Sequence, residues 1–250
     1  MDAQAWDRIA GDYLGHIVSP FDRGISNPLF DQLLAIRCAH RKTVADLGCG
    51  VGMLLPFLSK RFRKVAAIDF SAGMLRRARR KVRATNVSFR RADMTDLSRF
   101  RERFHVTIAV NSVLAPSPRQ VNKILSEVRS TLKPGGQFLG VFPAMDSVLY
   151  HAMLVVEREN AEHDSERVAA HHAKKVCEYH KYDFVTGVFD DDGDRQKHYY
   201  PFELRHRLRQ AGFTDLRFRK VRYPWDESVS GFECFPGKPK LWDWLVCASA

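Results

Sequence analysis

A short glycine-rich stretch, "VADLGCGVG" at residues 44–52, carries the residue types best suited to holding a ligand. An apolar run ends at Asp46, and Gly48, Gly50 and Gly52 follow at every second position. Glycine adopts positive φ and lets a ligand approach the backbone without a Cβ in the way. A dinucleotide-binding loop would read G-x-G-x-x-G, whereas this loop reads G-x-G-x-G beside a carboxylate. Because a carboxylate repels a pyrophosphate and attracts a cation, we expect a ligand that carries a positive charge.

Further polar residues stand where later apolar runs end. Asp69 closes "KVAAID" at about the spacing after Asp46 at which an acidic residue binds ribose hydroxyls, and its two oxygens match two vicinal hydroxyls. Asp93 follows "VSFRRA", and Asn111 follows "TIAV". Each has a plainer alternative, since Asp caps helices, Asn caps turns and Gly occurs in ordinary turns.

The elements that must position these residues alternate between strands and helices. Strand-length apolar runs alternate with helical periodicity, which is clearest over 118–132, where the apolar residues are Val121, Ile124, Leu125, Val128 and Leu132. This alternation predicts an α/β fold with a doubly wound, Rossmann-like sheet of seven mostly parallel strands and helices on both faces. Ligands of such sheets bind beyond the carboxyl ends of the strands, where the polar residues above lie.

Five motifs, taken in chain order, resemble those of the class I S-adenosylmethionine-dependent methyltransferases. The resemblance is to small-molecule members with a type 11 or 25 methyltransferase domain. The resemblance covers roughly residues 40–142 and rests on "VADLGCGVG", "AAIDFS", "RRADMTDL", "TIAVNSVL" and "LKPGGQFLG". Residues 199–221 and 242–250 resemble the last two strands of that family. The resemblance implies S-adenosylmethionine as the cofactor and S-adenosylhomocysteine as its product.

The resemblance also assigns roles to individual residues. Asp69 would hold the ribose, and Asn111 would lie near the methionyl part and the sulfonium. Asp93 would accept a hydrogen bond from the adenine amino group, and Met94 would donate its backbone N–H. The full set of expected cofactor-binding residues is Asp46, Gly48, Gly50, Gly52, Asp69, Phe70, Met74, Asp93, Met94 and Asn111.

Segments outside these motifs are expected to cover the site. We expect an N-terminal helical lid (1–42), a cofactor-binding core (43–144), an inserted substrate cap (145–202) and a C-terminal part of the core sheet (203–250). The cap is predicted to contain a helix that becomes polar through 157–175. A hairpin is then predicted from "YDFVTGVFD" and "RQKHYYPF", around the turn at Asp192-Gly193.

Methyl transfer is an in-line displacement that needs few chemical groups, but an amine or phenol acceptor must also lose a proton. The catalytic candidates are Tyr13, a lid residue in the aromatic start "WDRIAGDYLGH", and His198. The alternative for each is a packed or surface side chain.

The chain is basic, with 40 Lys and Arg against 29 Asp and Glu and a formal net charge of +11. Residues 71–91 contain many basic residues and no acid, which suits an anionic partner. The basic charge makes an RNA methyltransferase acting on tRNA or rRNA one alternative to a small-molecule methyltransferase. A second alternative is a cofactor-binding protein without transferase activity, because the glycine loop and the acidic residues indicate binding alone. Against RNA, "NSVL" lacks the N/D-P-P-Y/F motif of enzymes that methylate exocyclic base amines.

Other signals bound the cellular context. The 5 cysteines include no C-x-x-C, which indicates a reducing compartment. No apolar run reaches the roughly 20 residues of a membrane span and no signal peptide is recognisable, so we expect a cytoplasmic protein without membrane association. No metal site is expected, because no H-x3-H pair occurs among His163, Asp164, His171, His172 and His180. The acceptor, the atom methylated and the oligomeric state are left open.

Overall fold

The computed structural model describes residues 6–7, 19–163, 165–176, 178–225 and 234–250. Within these residues the strands are β1 (Thr43–Leu47), β2 (Lys64–Asp69), β3 (Val87–Arg91), β4 (Phe104–Val110), β5 (Leu132–Pro143), β6 (Tyr182–Asp183), β7 (Val188–Asp191), β8 (Asp194–Lys197), β9 (Thr214–Tyr223) and β10 (Leu241–Ser249). The α-helices are α1 (Leu29–Ala35), α2 (Leu55–Arg61), α3 (Ala72–Lys81), α4 (Pro118–Thr131), α5 (Met145–Glu162), α6 (Glu166–Val176) and α7 (Pro201–Gln210).

The main sheet has seven strands in the order β3-β2-β1-β4-β5-β10-β9. Every neighbouring pair from β3 to β5 is parallel, whereas β10 runs antiparallel to both β5 and β9. The predicted seven-stranded, mostly parallel sheet is therefore confirmed. Its strand order reverses between β1 and β4, which are direct neighbours.

Two apolar cores cover the two faces of this sheet. Successive strand residues point to opposite faces, so Val44 enters one core and Ala45 the other. The first core includes residues of α1, α2 and α3, and the second includes residues of α4 and α7. This confirms the doubly wound α/β class. β1 and β2 are buried along almost their whole length, as continuous apolar runs predict.

The inserted segment 145–202 contains α5, α6 and a small antiparallel sheet, β6-β7-β8. The predicted turn at Asp192-Gly193 joins β7 to β8 as expected, with Asp191 opposite Asp194. The prediction of one strand over "YDFVTGVFD" is wrong, because the chain turns between β6 and β7. There the carboxylate of Asp183 accepts hydrogen bonds from the N–H groups of Val185 and Thr186, and Gly187 has a φ of 71°.

The expected helical lid, 1–42, is only partly described. Residues 19–42 contain α1 and a short 3₁₀ helix, Ala39–Arg41, while turns occupy most of 20–28. The Asn27-Pro28 start signal precedes α1, and the Asn27 side chain accepts a hydrogen bond from the Leu29 N–H at 3.0 Å. None of the described helices is long and apolar enough to cross a membrane.

Candidate functional site

A cavity of about 420 Å³ opens beyond the carboxyl ends of β1, β2 and β4, where the strand order reverses. Doubly wound sheets bind their ligands at this position. The cavity brings together most of the residues predicted to bind the cofactor: Gly48, Gly50, Asp69, Phe70, Met74, Asp93, Met94 and Asn111. Asp46 and Gly52, which were predicted with them, are not among the described lining residues.

The glycine loop takes a conformation that favours glycine at each predicted position. Gly48, Gly50 and Gly52 have φ values of 67°, 51° and 80°. A Cβ at Gly48 would lie 2.3 Å from the Cβ of Ser112, so the loop and the end of β4 approach too closely for any side chain there. A Cβ at Gly52 would lie 3.2 Å from the Cβ of Ala78 in α3. The glycines therefore serve both the turn and the packing around it.

Two carboxyl groups lie beneath and beside this loop. Asp69 accepts a hydrogen bond from the N–H of Gly50 at 2.8 Å through Oδ2 and one from the N–H of Ser71 at 2.9 Å through Oδ1. Burial raises the pKa of Asp69, although these N–H donors oppose the rise. Asp46 is 4% exposed, and burial together with the Asp69 charge raises its pKa to about 7. The floor of the site is therefore acidic and suits a cationic ligand group.

An apolar wall and an exposed acid border the cavity near the ends of β2 and β3. Trp6 and Met74 belong to one apolar cluster, and both line the cavity. Asp93, which also lines the cavity, is exposed. Its Oδ1 accepts hydrogen bonds from the N–H and the hydroxyl of Thr95, both at 2.8 Å.

The described residues at the start of the chain contact α3. Asp7 accepts hydrogen bonds from the hydroxyl of Ser71 and, at 2.8 Å, from the N–H of Gly73 in the first turn of the helix. These hydrogen bonds lower the pKa of Asp7. Asp7 thereby holds Trp6 at the edge of the cavity. Tyr13, the predicted lid residue, lies outside the described residues.

Asn111 has a fixed orientation at the end of β4. Its Nδ2 donates to Oδ2 of Asp243 at 2.9 Å, and the hydroxyl of Tyr223 donates to the same oxygen at 2.5 Å. Burial raises the pKa of Asp243. The Oδ1 of Asn111 is buried and has no hydrogen-bond partner among the described residues. Asn111 lines the cavity, and its amide oxygen is an unused acceptor.

The inserted hairpin supplies another border of the cavity through Arg195 and Gln196 of β8. The N–H of Lys197 donates to the carbonyl of Leu114 at 3.0 Å and attaches the hairpin to the loop after β4. His198 is not among the described lining residues. Its ring packs 5.6 Å from that of Tyr182, and burial lowers its pKa to about 4. The catalytic role of His198 stays a prediction.

Several lining residues were not predicted from the sequence, among them Trp6, Ser112, Gln120, Arg195 and Gln196. Most lie in loops or on the cap, where no motif marks them. Asp243, which orients Asn111, did leave a signal, because it is a lone acid within the apolar terminal strand "LWDWLV". Such a residue requires a buried polar partner.

Comparison with known proteins agrees with this geometry. Residues 44–136 match the family model of a methyltransferase domain. A malonyl-[acyl-carrier protein] O-methyltransferase from Priestia megaterium is 27% identical over 138 residues, which are 52% of this chain and 49% of the relative. The match thus spans about half the length of that curated relative.

Solved structures share the fold over nearly the whole chain. A methyltransferase in complex with the Haloferax volcanii Trm112 methyltransferase activator has a TM-score of 0.64 at 17% identity, over 98% of this chain and 97% of its own. A S-adenosylmethionine-dependent methyltransferase from Methanosarcina mazei has a TM-score of 0.58 at 18% identity, over 90% and 97%. Residues 44–136 thus match a methyltransferase domain, and the chain shares the fold of S-adenosylmethionine-dependent methyltransferases, so these findings and the ordered motifs together support a class I S-adenosylmethionine-dependent methyltransferase.

Proposed function

We propose that this protein transfers a methyl group from S-adenosylmethionine to a small-molecule acceptor. The observation that carries the proposal is the convergence of the ordered motifs on one cavity, bordered by the inserted hairpin. Its volume of about 420 Å³ falls within the range of about 300–1,000 Å³ typical of small-molecule sites. The cofactor, when bound, supplies a methyl group already activated on a sulfonium, so the protein has chiefly to position the reactants.

The residues of the cavity fit this cofactor. Each oxygen of Asp69 accepts one backbone N–H and retains a lone pair for a ribose hydroxyl. Asp93 uses Oδ1 for Thr95, which leaves Oδ2 to accept from the adenine amino group. Phe70 and Met74 supply apolar contact for the adenosine.

The cationic part of the cofactor would lie toward Asn111. The unpartnered Oδ1 of this residue offers an acceptor for the methionyl ammonium, and Asp243 and Tyr223 keep the amide turned that way. Asp46 lies beneath the glycine loop, and its ionised form would add negative potential at this end of the cavity. These groups favour the charged sulfonium over its neutral product.

The acceptor would bind between the loop after β4 and the inserted hairpin. Apolar side chains of Leu114, Ala115 and Pro116 line this part, and Gln120 and Gln196 add polar groups. This composition, mostly apolar with a few polar groups, is typical of sites that orient a small molecule.

We further propose a carboxylate as the first acceptor class to screen. Arg195 borders the cavity from β8, and an arginine guanidinium binds carboxylates in a bidentate manner. The Priestia megaterium relative is named as an O-methyltransferase of a malonyl group, which is consistent with an acidic acceptor. Carboxylate methylation requires no general base at neutral pH, because the nucleophile is already ionised. For amine or phenol acceptors, Tyr13 and His198 remain the candidate proton acceptors.

The experiment is an acceptor screen on purified protein with S-adenosylhomocysteine release as the readout. Small carboxylic acids, their thioesters, amines and phenols are compared with tRNA and rRNA. We expect release with a carboxylic acid, reduced by Arg195→Ala through a raised KM. Release with RNA and with none of the small molecules would overturn the proposal.

RNA is the second candidate acceptor because of one specific feature. A cleft beside the cavity shares Ala92 and Asp93 with it and is lined by Arg90, Arg91, Arg99 and Arg103. Such a cleft suits a phosphate backbone, and binding would weaken steeply with salt. Because the Haloferax volcanii neighbour is in complex with an activator protein, a protein activator is also a candidate partner of this chain.

A further inference from the structure

A carboxylate and two imidazoles converge between the cap helices, away from the cofactor cavity. Glu159 lies in the last turn of α5, and His163 follows one turn later as the residue that ends this helix. His172, in α6, contacts Glu159. The Oε2 of Glu159 lies 2.5 Å from Nδ1 of His172 and 3.4 Å from Nε2 of His163. One donor atom from each of the three residues lies within 4.8 Å of the other two.

We propose that Glu159, His163 and His172 form a binding site for a divalent transition metal, with Zn²⁺ the preferred ion. Two imidazole nitrogens and one carboxylate oxygen form a common protein donor set for Zn²⁺, with water completing the coordination. The site does not depend on the proposed methyl transfer, since none of its residues lines the cavity.

The spacing of the donor atoms fits one shared ion. Ligands about 2.0–2.2 Å from a tetrahedral Zn²⁺ stand roughly 3.3–3.6 Å apart. The separation of Glu159 Oε2 from His163 Nε2 already has that value, at 3.4 Å. The distance between Oε2 of Glu159 and Nδ1 of His172 would increase by about 1 Å, because the ion replaces the proton that these atoms share.

The neighbouring side chains orient the Glu159 carboxylate and leave the site accessible to solvent. Arg158 donates to Oε1 of Glu159 at 2.9 Å, so that Oε2 faces the histidines. Glu159 is 1% exposed as a residue, whereas the side chains of His163 and His172 are 36% and 52% exposed. An ion can therefore enter from solvent and reach a buried ligand.

Binding would join α5 to α6. Next to the site the two helices pack through small and apolar side chains, with Val155 and Ala173 both fully buried. An ion held by ligands from both helices would add a cross-link to this packing and stabilise the cap. The expected consequence is a cap whose stability depends on metal.

The test uses the full-length chain after removal of metal, titrated with Co²⁺ and then with competing Zn²⁺. We expect one Co²⁺ per chain, with a visible d–d band and no thiolate charge-transfer band. His172→Ala and, separately, His163→Ala should weaken binding by at least about tenfold, the lower end of what the loss of even an outer-shell partner costs a metal site. His171→Ala, which removes the exposed neighbour of His172, is the matched control and should bind as the unaltered chain does.

Thermal unfolding gives an independent readout. Zn²⁺ should raise the melting temperature of the unaltered chain and of His171→Ala, but not that of His172→Ala, with circular dichroism showing that each variant is folded. The proposal is overturned by the absence of binding, by a thiolate band that assigns the ion to cysteines, or by equal affinity in the unaltered chain and both ligand variants.

Discussion

At the scale of single residues, substitutions at Gly48 and Gly135 distinguish the energetic cost of backbone strain from that of steric overlap. Gly48→Ala places a Cβ 2.3 Å from that of Ser112 at a φ of 67°, whereas Gly135→Ala has a φ of 69° and nothing within 4 Å. We expect Gly135→Ala to lower the free energy of unfolding by about 1 kcal/mol through the left-handed conformation alone. Gly48→Ala should cost a further 1–3 kcal/mol, roughly, from overpacking. Urea unfolding measures both, and equal losses would contradict the close contact with Ser112.

Asp46 makes stability depend on pH in a defined direction. Its carboxyl has a pKa of about 7 in the folded chain, against 3.8 for the free group, so the folded state retains its proton to higher pH. Below about pH 4 the carboxyl is protonated in both states and does not lower the free energy of unfolding. As pH rises through 7, ionisation of the buried carboxyl lowers the free energy of unfolding. Asp46→Asn removes this loss.

The variant should therefore match the unaltered chain near pH 4 and exceed it above pH 7. The gain in the free energy of unfolding should be at most about 4 kcal/mol, at about 1.4 kcal/mol per pKa unit. Denaturant unfolding at several pH values, without cofactor, measures the difference, and Asp31→Asn controls for the loss of an exposed charge. A difference between the variant and the unaltered chain that is independent of pH would show that Asp46 keeps an ordinary pKa.

At the scale of elements, a buried ion pair connects the inserted hairpin to α7. Nζ of Lys197 lies 2.7 Å from Oε2 of Glu203, with side-chain exposures of 1% and 15%. Glu203 also accepts from Arg207 at 2.9 Å. Glu203→Gln would leave the Lys197 charge buried without its carboxylate, so we expect a loss of about 2–4 kcal/mol in the free energy of unfolding.

The matched control is the Lys181–Asp191 pair in the same cap, 2.7 Å apart, with exposures of 22% and 52%. Asp191→Asn should cost less than about 1 kcal/mol, because solvent screens that pair. The double variant Lys197→Met with Glu203→Gln should recover part of the loss seen with Glu203→Gln alone. Equal costs for Glu203→Gln and Asp191→Asn would mean that burial does not strengthen the first pair.

At the scale of the whole molecule, the main sheet could be predicted from the sequence more completely than the structure of the inserted segment 145–202. Buried apolar strands and amphipathic helices leave periodic signals, so the seven-stranded sheet and α4 follow from local patterns. The residues after β1, β2, β3 and β4 could be grouped because parallel strands bring their carboxyl ends to one edge of the sheet.

What the sequence could not predict depends on contacts between distant segments. Three contacts join the site to segments far from the motifs in sequence. Asp7 accepts a hydrogen bond from the first turn of α3, Arg195 lines the cavity, and Asp243 accepts one from Asn111. The turn at Gly187 was missed because an Asx-type turn interrupts an otherwise strand-like run. Glu159 lies near His172 only because α5 and α6 pack together, so no fixed spacing in the sequence connects a glutamate on one helix with a histidine on the next.

We propose that the cavity binds S-adenosylmethionine through Asp69. Calorimetric titration of the purified chain with S-adenosylmethionine and S-adenosylhomocysteine tests it most directly, with Asp69→Ala as the variant and Asp31→Asn as the control for lost charge. We predict micromolar binding of both ligands, retained by Asp31→Asn and weakened at least about tenfold by Asp69→Ala, since hydrogen bonds to a charged group contribute about 1.5–3 kcal/mol. Absence of binding to either ligand would show that the cavity does not hold this cofactor, and unchanged affinity in Asp69→Ala would show that Asp69 does not bind it.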